Sequence, residues 1–409
     1  MNPDFIRYWP LEPSVTYLNH GAFGSCPWPV LLQQSEWRAR MERNPIQFMD
    51  HELEGHLDRA RAALAELVGA QPDDISFVPN ATTGVNTVLR SLEFQPGDEI
   101  LTTDHEYNAC LNATRFVAER AGAKVVVANI ALPIRDANEV TAAVMACAGP
   151  RTRLAVISHV TSPTGLVFPI DDIVSALNDN GIDTLVDGAH APGMVPVDLG
   201  TLNAAYYTGN AHKWLGTPKG SAFLHVRRDR QPQIRPLVIS HGTNSPRSDR
   251  SYFRLEFDWG GTGDPTPYLC IPAALEFMAG LLPGGWAELQ AANRSLALSA
   301  RNKLNEALGT DSALAPDAMI GALAAVDLPT TIGPRPLEPA AGAHEGATYP
   351  LDPLRAALFD EDRIEVPVYP WPHTPADNAP KRRLLRVSAQ IYNEPADYDR
   401  LVSALAARS

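Results

Sequence analysis

A carboxylate and an amine held at the ends of neighbouring strands can drive chemistry at a carbon acid, and this sequence carries such a pair. The stretch TLVDGAHAPGMVPVDLGTLNAAYYTGNAHKWLGTPKG (184–220) sets Asp187 at the end of one short β-rich apolar run. Lys213 lies in a glycine-containing turn after a second run, AYYTG. A lysine amine forms a Schiff base with an aldehyde. A carboxylate keeps a pyridine nitrogen protonated, so that the ring draws electrons from a carbanion. Pyridoxal 5'-phosphate needs both. An Asp-Gly pair alone is usually a turn, and a single lysine is usually a solvated charge; their conjunction points to the cofactor.

Other segments could complete such a site. VPNATTGVN (78–86) reads as a strand end, a polar turn and a helix start, where Asn80, Thr82 and Thr83 offer capping oxygens and backbone N–H groups. Such a start caps a helix and also holds phosphate. In TTDHEYNA (102–109), Tyr107 or His105 could stack on a pyridine ring. SHVTSPTG (158–165) could line the pocket or simply link a strand to a helix, and GGTGDPTP (260–267) could bind an anion or serve as a linker. Arg386, within the apolar run LLRVSA, needs an anionic partner. A bidentate substrate carboxylate and a structural salt bridge both satisfy that need.

These residues need a scaffold that delivers strand ends to one place. From about residue 55 to 275, β-rich runs at 75–78, 99–103, 124–130, 154–160, 183–187, 204–209 and 221–226 alternate with helical patterns at 56–68, 84–92, 108–121, 137–147 and 171–180. This alternation predicts a mostly parallel sheet covered by helices, an α/β fold with ligands beyond the carboxyl ends of the strands. After 270 the texture changes. Residues 272–308 read as long helices broken at PGG, 322–328 and 384–389 as strands, and 395–407 as a terminal helix. Two Pro-rich stretches, 330–350 and 367–383, read as loops. The expected division is an N-terminal arm (1–20) packing on the small domain, a large domain (21–270) and a smaller α+β domain (271–409).

Composition narrows the partners. The 409 residues include 34 basic and 47 acidic ones, for a net charge of −13. That balance argues against nucleic acid, whose phosphates demand concentrated positive charge. No apolar run is long enough to span a bilayer, and the N-terminus lacks a secretory pattern, so a cytoplasmic location is expected. The four scattered cysteines, Cys26, Cys110, Cys147 and Cys270, lack ligand spacing and read as buried thiols rather than a metal site or a disulfide frame.

Taken in order, LNHGAFGSCP (18–27), NATTGVN, DHEYNA, SHVTSPTG, VDGAHAPG, TGNAHKW, GGTGD and LLRVSA resemble the class V aminotransferase group of fold-type I pyridoxal phosphate enzymes, and within it the isopenicillin N epimerase-like branch. The resemblance runs nearly end to end and is strongest over 78–225. It implies a fold-type I transferase-like architecture and roles residue by residue. Lys213 would carry the cofactor, Asp187 would pair with its ring nitrogen, His190 would donate to its phenolic oxygen, and Tyr107 would stack on the ring. Thr82, Thr83 and His212 would hold the phosphate, with Thr262 reaching it across a homodimer interface to make composite active sites. Arg386 would bind the substrate α-carboxylate, with Asn19 and His20 lining the substrate mouth. The pattern departs at Asn210, where relatives often have serine, and at Ser162, where many have asparagine.

Three reaction classes follow for an amino-acid-type substrate. Epimerisation through abstraction of the Cα proton comes first, because the whole-chain resemblance points there. A β-elimination that releases sulfur from a cysteine conjugate or sulfoxide comes second, and transamination or decarboxylative deamination third. Cysteine desulfurase relatives use a cysteine on a late loop, but 364–386 contains none, which disfavours that activity. The intact Asp187, Lys213 and Arg386 also argue against a non-catalytic cofactor-binding regulator.

Overall fold

The computed structural model describes residues 3–310, 313–333, 352–372 and 382–408. Its strands are β1 (Thr16–Tyr17), β2 (Ile75–Val78), β3 (Glu99–Thr103), β4 (Lys124–Ala128), β5 (Thr152–Ser158), β6 (Asp183–Asp187), β7 (Tyr206–Asn210), β8 (Ala222–Val226), β9 (Leu323–Leu328), β10 (Ile364–Glu365), β11 (Val368–Trp371) and β12 (Arg382–Ser388). Seven of them form one sheet in the order β2-β8-β7-β6-β5-β3-β4. Neighbours from β7 to β4 pair in parallel, and β8 alone runs opposite to both of its neighbours. This is the mostly parallel, helix-covered sheet that the alternating pattern predicts.

Period-two geometry explains why these runs are apolar without alternation. Along β5, Ala155 and Ile157 join one core while Leu154 and Val156 join another; Val186 and Leu185 of β6, and Tyr207 and Tyr206 of β7, divide in the same way. Both faces are buried, so both parities must be apolar. Each fully buried aliphatic side chain contributes about 1.5–3 kcal/mol. The sheet frame is therefore rigid enough to hold polar groups at its rim.

Because β2 is antiparallel to β8, and β8 to β7, β2 points the same way as β3, β5, β6 and β7. With β4, which runs parallel to β3, six strands thus deliver their carboxyl ends to one edge. The loops that follow carry Asn80–Thr83, His105–Tyr107, Ser162, Asp187–His190 and Lys213.

A separate antiparallel sheet, β11-β12-β9, carries Arg386 in register with Ala325. Leu385 and Val387 enter the same core as β5 and β6, so Arg386 alternates to the other face. The start of the chain ties to this region: β1 pairs with β10 in parallel, and the Trp9 ring packs edge-on against Tyr392 at 5.1 Å.

Several expectations shift. The strand expected over 124–130 ends at Ala128, and that over 154–160 occupies Thr152–Ser158. Residues 368–371, expected as part of a loop, form β11. The helix Trp28–Arg43 is additional; of its sixteen residues only Val30 and Gln34 are buried, so it carries no apolar stripe to announce it. Cys26, Cys110 and Cys270 are buried thiols as expected, but Cys147 is only half-buried. Residues 334–351 and 373–381, which hold most of the two Pro-rich stretches, lie outside the described residues. Among the described residues no helix is long and apolar enough to cross a membrane.

Candidate active site

Asp187 closes β6 with its carboxylate 3% exposed. One oxygen, Oδ1, accepts from the Ala189 N–H at 2.9 Å, and the other, Oδ2, accepts from the Cys110 thiol at 3.1 Å. Burial raises its pKa, partly offset by those bonds and by the Lys213 charge. The next residue must be glycine for steric reasons, because a Cβ on Gly188 would lie 2.2 Å from the Tyr207 ring. Tyr207 is itself fixed by a 3.0 Å bond from its hydroxyl to His159 Nδ1.

Lys213 lies in the turn after β7 with its Nζ 3.1 Å from His190 Nε2. Burial, and secondarily the positive charge of Arg386, push the amine down to about 7. Burial and the surrounding cations hold His190 well below its ordinary value, so it is neutral. If Nε2 accepts from Lys213, the proton resides on Nδ1, and Nδ1 is buried with no partner among the described residues. A donor aimed into the site with nothing to receive it fits the phenolic oxygen of pyridoxal phosphate.

The backbone of Lys213 is clamped from behind. Gly24 has φ of +69°, and a Cβ there would lie 2.2 Å from the His212 carbonyl oxygen and 2.8 Å from the Lys213 Cα. Both facts demand glycine. His20, expected at a substrate mouth, is instead 1% exposed: its Nε2–H donates to the Lys213 carbonyl at 3.2 Å, and its Nδ1 accepts from the Tyr392 hydroxyl at 2.9 Å. Its ring lies 4.9 Å from Trp214, and burial pushes it down to about 3. Asn19 is buried too, donating to Glu365 at 3.0 Å and leaving its Oδ1 without a partner.

At the end of β2, the helix Ala81–Ser91 receives two caps. Asn80 Oδ1 accepts from the Thr83 N–H at 2.8 Å, and Asn210 Oδ1 accepts from the Ala81 N–H at 2.8 Å. Asn210, where relatives often carry serine, thus reaches across from β7 to order this helix start. The Thr82 N–H is engaged by neither cap and remains for an anion. His212 commits its Nδ1–H to the Ser221 carbonyl at 2.9 Å. Only its Nε2 remains for a phosphate, and it must be protonated to donate.

Of the two aromatic candidates for stacking, His105 is fully enclosed. It accepts from Thr164 and donates to the Ile130 carbonyl, each at 2.9 Å, with Trp371 edge-on at 4.4 Å. Tyr107 is 42% exposed at the start of the helix Asn108–Ala121. Thr262 lies in an exposed turn. Arg386 is 1% exposed; it donates through Nη1 to the Ser162 carbonyl and stacks over Tyr369 at 5.2 Å. Among the described residues its Nε and Nη2 have no partner and no carboxylate pairs with it. Ser162 therefore meets Arg386 through its backbone, a contact available to any residue type.

Two neighbours of Asp187, Glu106 and Cys110, escaped the sequence reading. The glutamate hides inside DHEYNA beside more conspicuous aromatics, and only the fold brings Cys110 to Asp187.

The donor set fits pyridoxal phosphate: an anion at a strand end, a neutral-prone amine, an unpartnered imidazole N–H, a helix start with a free N–H, and an unpaired guanidinium.

The aminotransferase class-V family model matches residues 16–319. The chain is 36% identical to an isopenicillin N epimerase of Amycolatopsis lactamdurans, over 97% of this chain and 95% of the relative. It is 30% identical to a probable chloroplastic L-cysteine desulfhydrase of Arabidopsis thaliana, over 96% of this chain and 83% of the relative. A structure of a C-DES lysine-to-alanine mutant, with glycine covalently linked to its PLP cofactor, superposes with a TM-score of 0.77 at 23% identity, covering 99% of both chains. At that identity the likeness speaks for the fold alone.

Proposed function

This chain belongs to the aminotransferase class-V family, and from that membership we propose that it is a pyridoxal phosphate-dependent enzyme acting at the Cα of an amino-acid-type substrate, with epimerase-like chemistry. The observation that carries the reading is the buried pairing of Lys213 with His190, next to Asp187 and under the field of an Arg386 that has no acid partner among the described residues. The cofactor, when bound, supplies an aldehyde and an electron-withdrawing ring. This chain's own groups do the rest. Asp187 would hold a proton on the ring nitrogen, His190 Nδ1–H would donate to the phenolic oxygen, and the Thr82 N–H would receive the phosphate together with the Thr83 hydroxyl, which in this structure donates to Asn80 Oδ1 at 3.1 Å. Arg386 would grip the substrate carboxylate, Lys213 would take the Cα proton from one face, and a second group would return a proton to the opposite face.

Lys213 acts only as the neutral amine. Its value near 7 means that the rate of cofactor attachment to apoprotein should rise with pH through about 7 and level off above it. A stopped-flow absorbance series between pH 5.5 and 9 checks this, and a midpoint above about 9, nearer an ordinary lysine, would remove the argument.

A second reading, C–S β-elimination, is supported by the desulfhydrases among the relatives. Incubating holoenzyme with candidate amino acids in D₂O separates the two. Deuterium at Cα with inversion supports epimerisation. Pyruvate with ammonia and a released sulfur species supports the lyase and defeats the epimerase.

Composite dimeric sites are part of the proposal. Thr262 stands exposed, and large apolar side chains, including Phe23, Trp28, Leu32 and Ile46 and the run Leu237, Val238 and Ile239, face solvent in the single chain. Surface of that kind marks contact sites. Sedimentation should give a dimer, and Thr262→Ala should weaken cofactor retention; a fully active monomer sinks the idea.

A further inference from the structure

Behind Asp187 stands a second carboxyl group to which the proposed chemistry gives no part. Glu106 follows β3, is 2% exposed, and shares a pocket with Asp187 and Cys110 in which one ligand atom of each lies within 4.8 Å of the others. Its Oε1 accepts from both the Ser158 hydroxyl and the Tyr107 N–H at 2.8 Å. Its Oε2 has no partner among the described residues. A carboxylate here would hold a bare anionic oxygen out of water beside another carboxylate. A carboxylic acid would place its one proton on Oε2, because Oε1 is already occupied by two donors.

We propose that Glu106 is a positioning residue that stays a neutral carboxylic acid beneath Asp187, so that Asp187 remains the single anion at this end of the site. The proposal rests on Asp187 being the ring-nitrogen partner. Two carboxylates this close do not both ionise readily. By holding the pair's proton, Glu106 leaves the charge on the member that faces the ligand. The cysteine is part of the arrangement: the Cys110 thiol donates to Asp187, so this neighbour of Glu106 adds no second negative charge.

The surrounding charges agree. From β6 Asp187 faces Glu106, from the helix Asn108–Ala121 Cys110, and from β5 the neutral Ser158. Lys213 moderates Asp187 and Cys110. Burial first, then the Asp187 charge, push Glu106 up to about 8, against the opposing pull of its hydrogen bonds.

Infrared spectroscopy tests this on apoprotein and on protein loaded with pyridoxal phosphate. A protonated-carboxyl C=O band is expected in both at neutral pH, bleaching as pH rises through about 8 and missing from Glu106→Gln. The Gln variant, a neutral isostere, should bind cofactor within about threefold of the parent. Ser158→Ala removes a donor that favours the ionised form, so the band should survive to higher pH; this variant decides the matter if Glu106→Gln does not fold. Absence of the band, its persistence in Glu106→Gln, a Ser158→Ala midpoint that moves down, or a folded Gln variant binding cofactor more than about tenfold more weakly overturns the proposal. Failure of the parent protein to develop visible absorbance with pyridoxal phosphate counts instead against the cofactor assignment, and the apoprotein band still reports on Glu106.

Discussion

Lys213→Ala is expected to abolish turnover and covalent attachment of the cofactor together. The amine is the one group placed to serve as both nucleophile and base, its Nζ lying 3.1 Å from a neutral His190. General acid–base catalysis of this kind contributes up to about 10⁴-fold in rate, and loss of the attachment point adds to that. The cofactor should still enter, because Asp187, the capped helix Ala81–Ser91 and the His190 donor remain. The variant should therefore bind pyridoxal phosphate reversibly, be stripped of it by dialysis after borohydride treatment, and show no labelled peptide spanning residue 213. The parent protein should retain the reduced label. A borohydride-stable link in the alanine variant would move the anchor to another lysine. Lys219 is a poor substitute, since its amine is tied to the Gly24 carbonyl at 3.0 Å.

Much of this site is legible in the sequence because its scaffold obeys local rules. Strands β2, β3 and β6 begin and end where their apolar runs do, since strands buried on both faces leave no choice of parity. Asp187 and Lys213 are readable because each terminates such a run. What stays hidden depends on contacts between distant segments. Glu106 meets Ser158 across 52 positions and Cys110 meets Asp187 across 77, and neither pairing has a sequence signature. His20 looks like a mouth residue in its motif, but its role becomes apparent only once Tyr392 and the Lys213 carbonyl are seen on either side of it. Strand β11 is masked by Pro370, whose missing N–H argues against a strand, yet β11 lies at the edge of its sheet, where such a residue is tolerated.

Arg386→Lys should be far from conservative. The guanidinium is buried on β12, spends one N–H on the Ser162 carbonyl, and has no partner for Nε and Nη2 among the described residues. Buried charge left unpaired is costly, so the site is built to receive an anion that the described residues do not supply. The planar fork suits a carboxylate bound through two parallel N–H groups, and stacking over Tyr369 at 5.2 Å fixes its plane. A lysine keeps the charge but loses both the fork and the stack. Charge-assisted binding of about 2–3 kcal/mol would then be lost, a fall in kcat/KM of roughly 30- to 150-fold. Cofactor loading should be unchanged, since Arg386 lies outside the groups proposed to hold it. The charge also holds the Lys213 amine down. Arg386→Leu should therefore move the pH midpoint of cofactor attachment upward, whereas Arg386→Lys should leave it nearly in place. Full efficiency in the lysine variant would mean that the substrate carboxylate is gripped elsewhere. Loss of cofactor or of folding in that variant would mean that Arg386 serves the frame rather than the substrate.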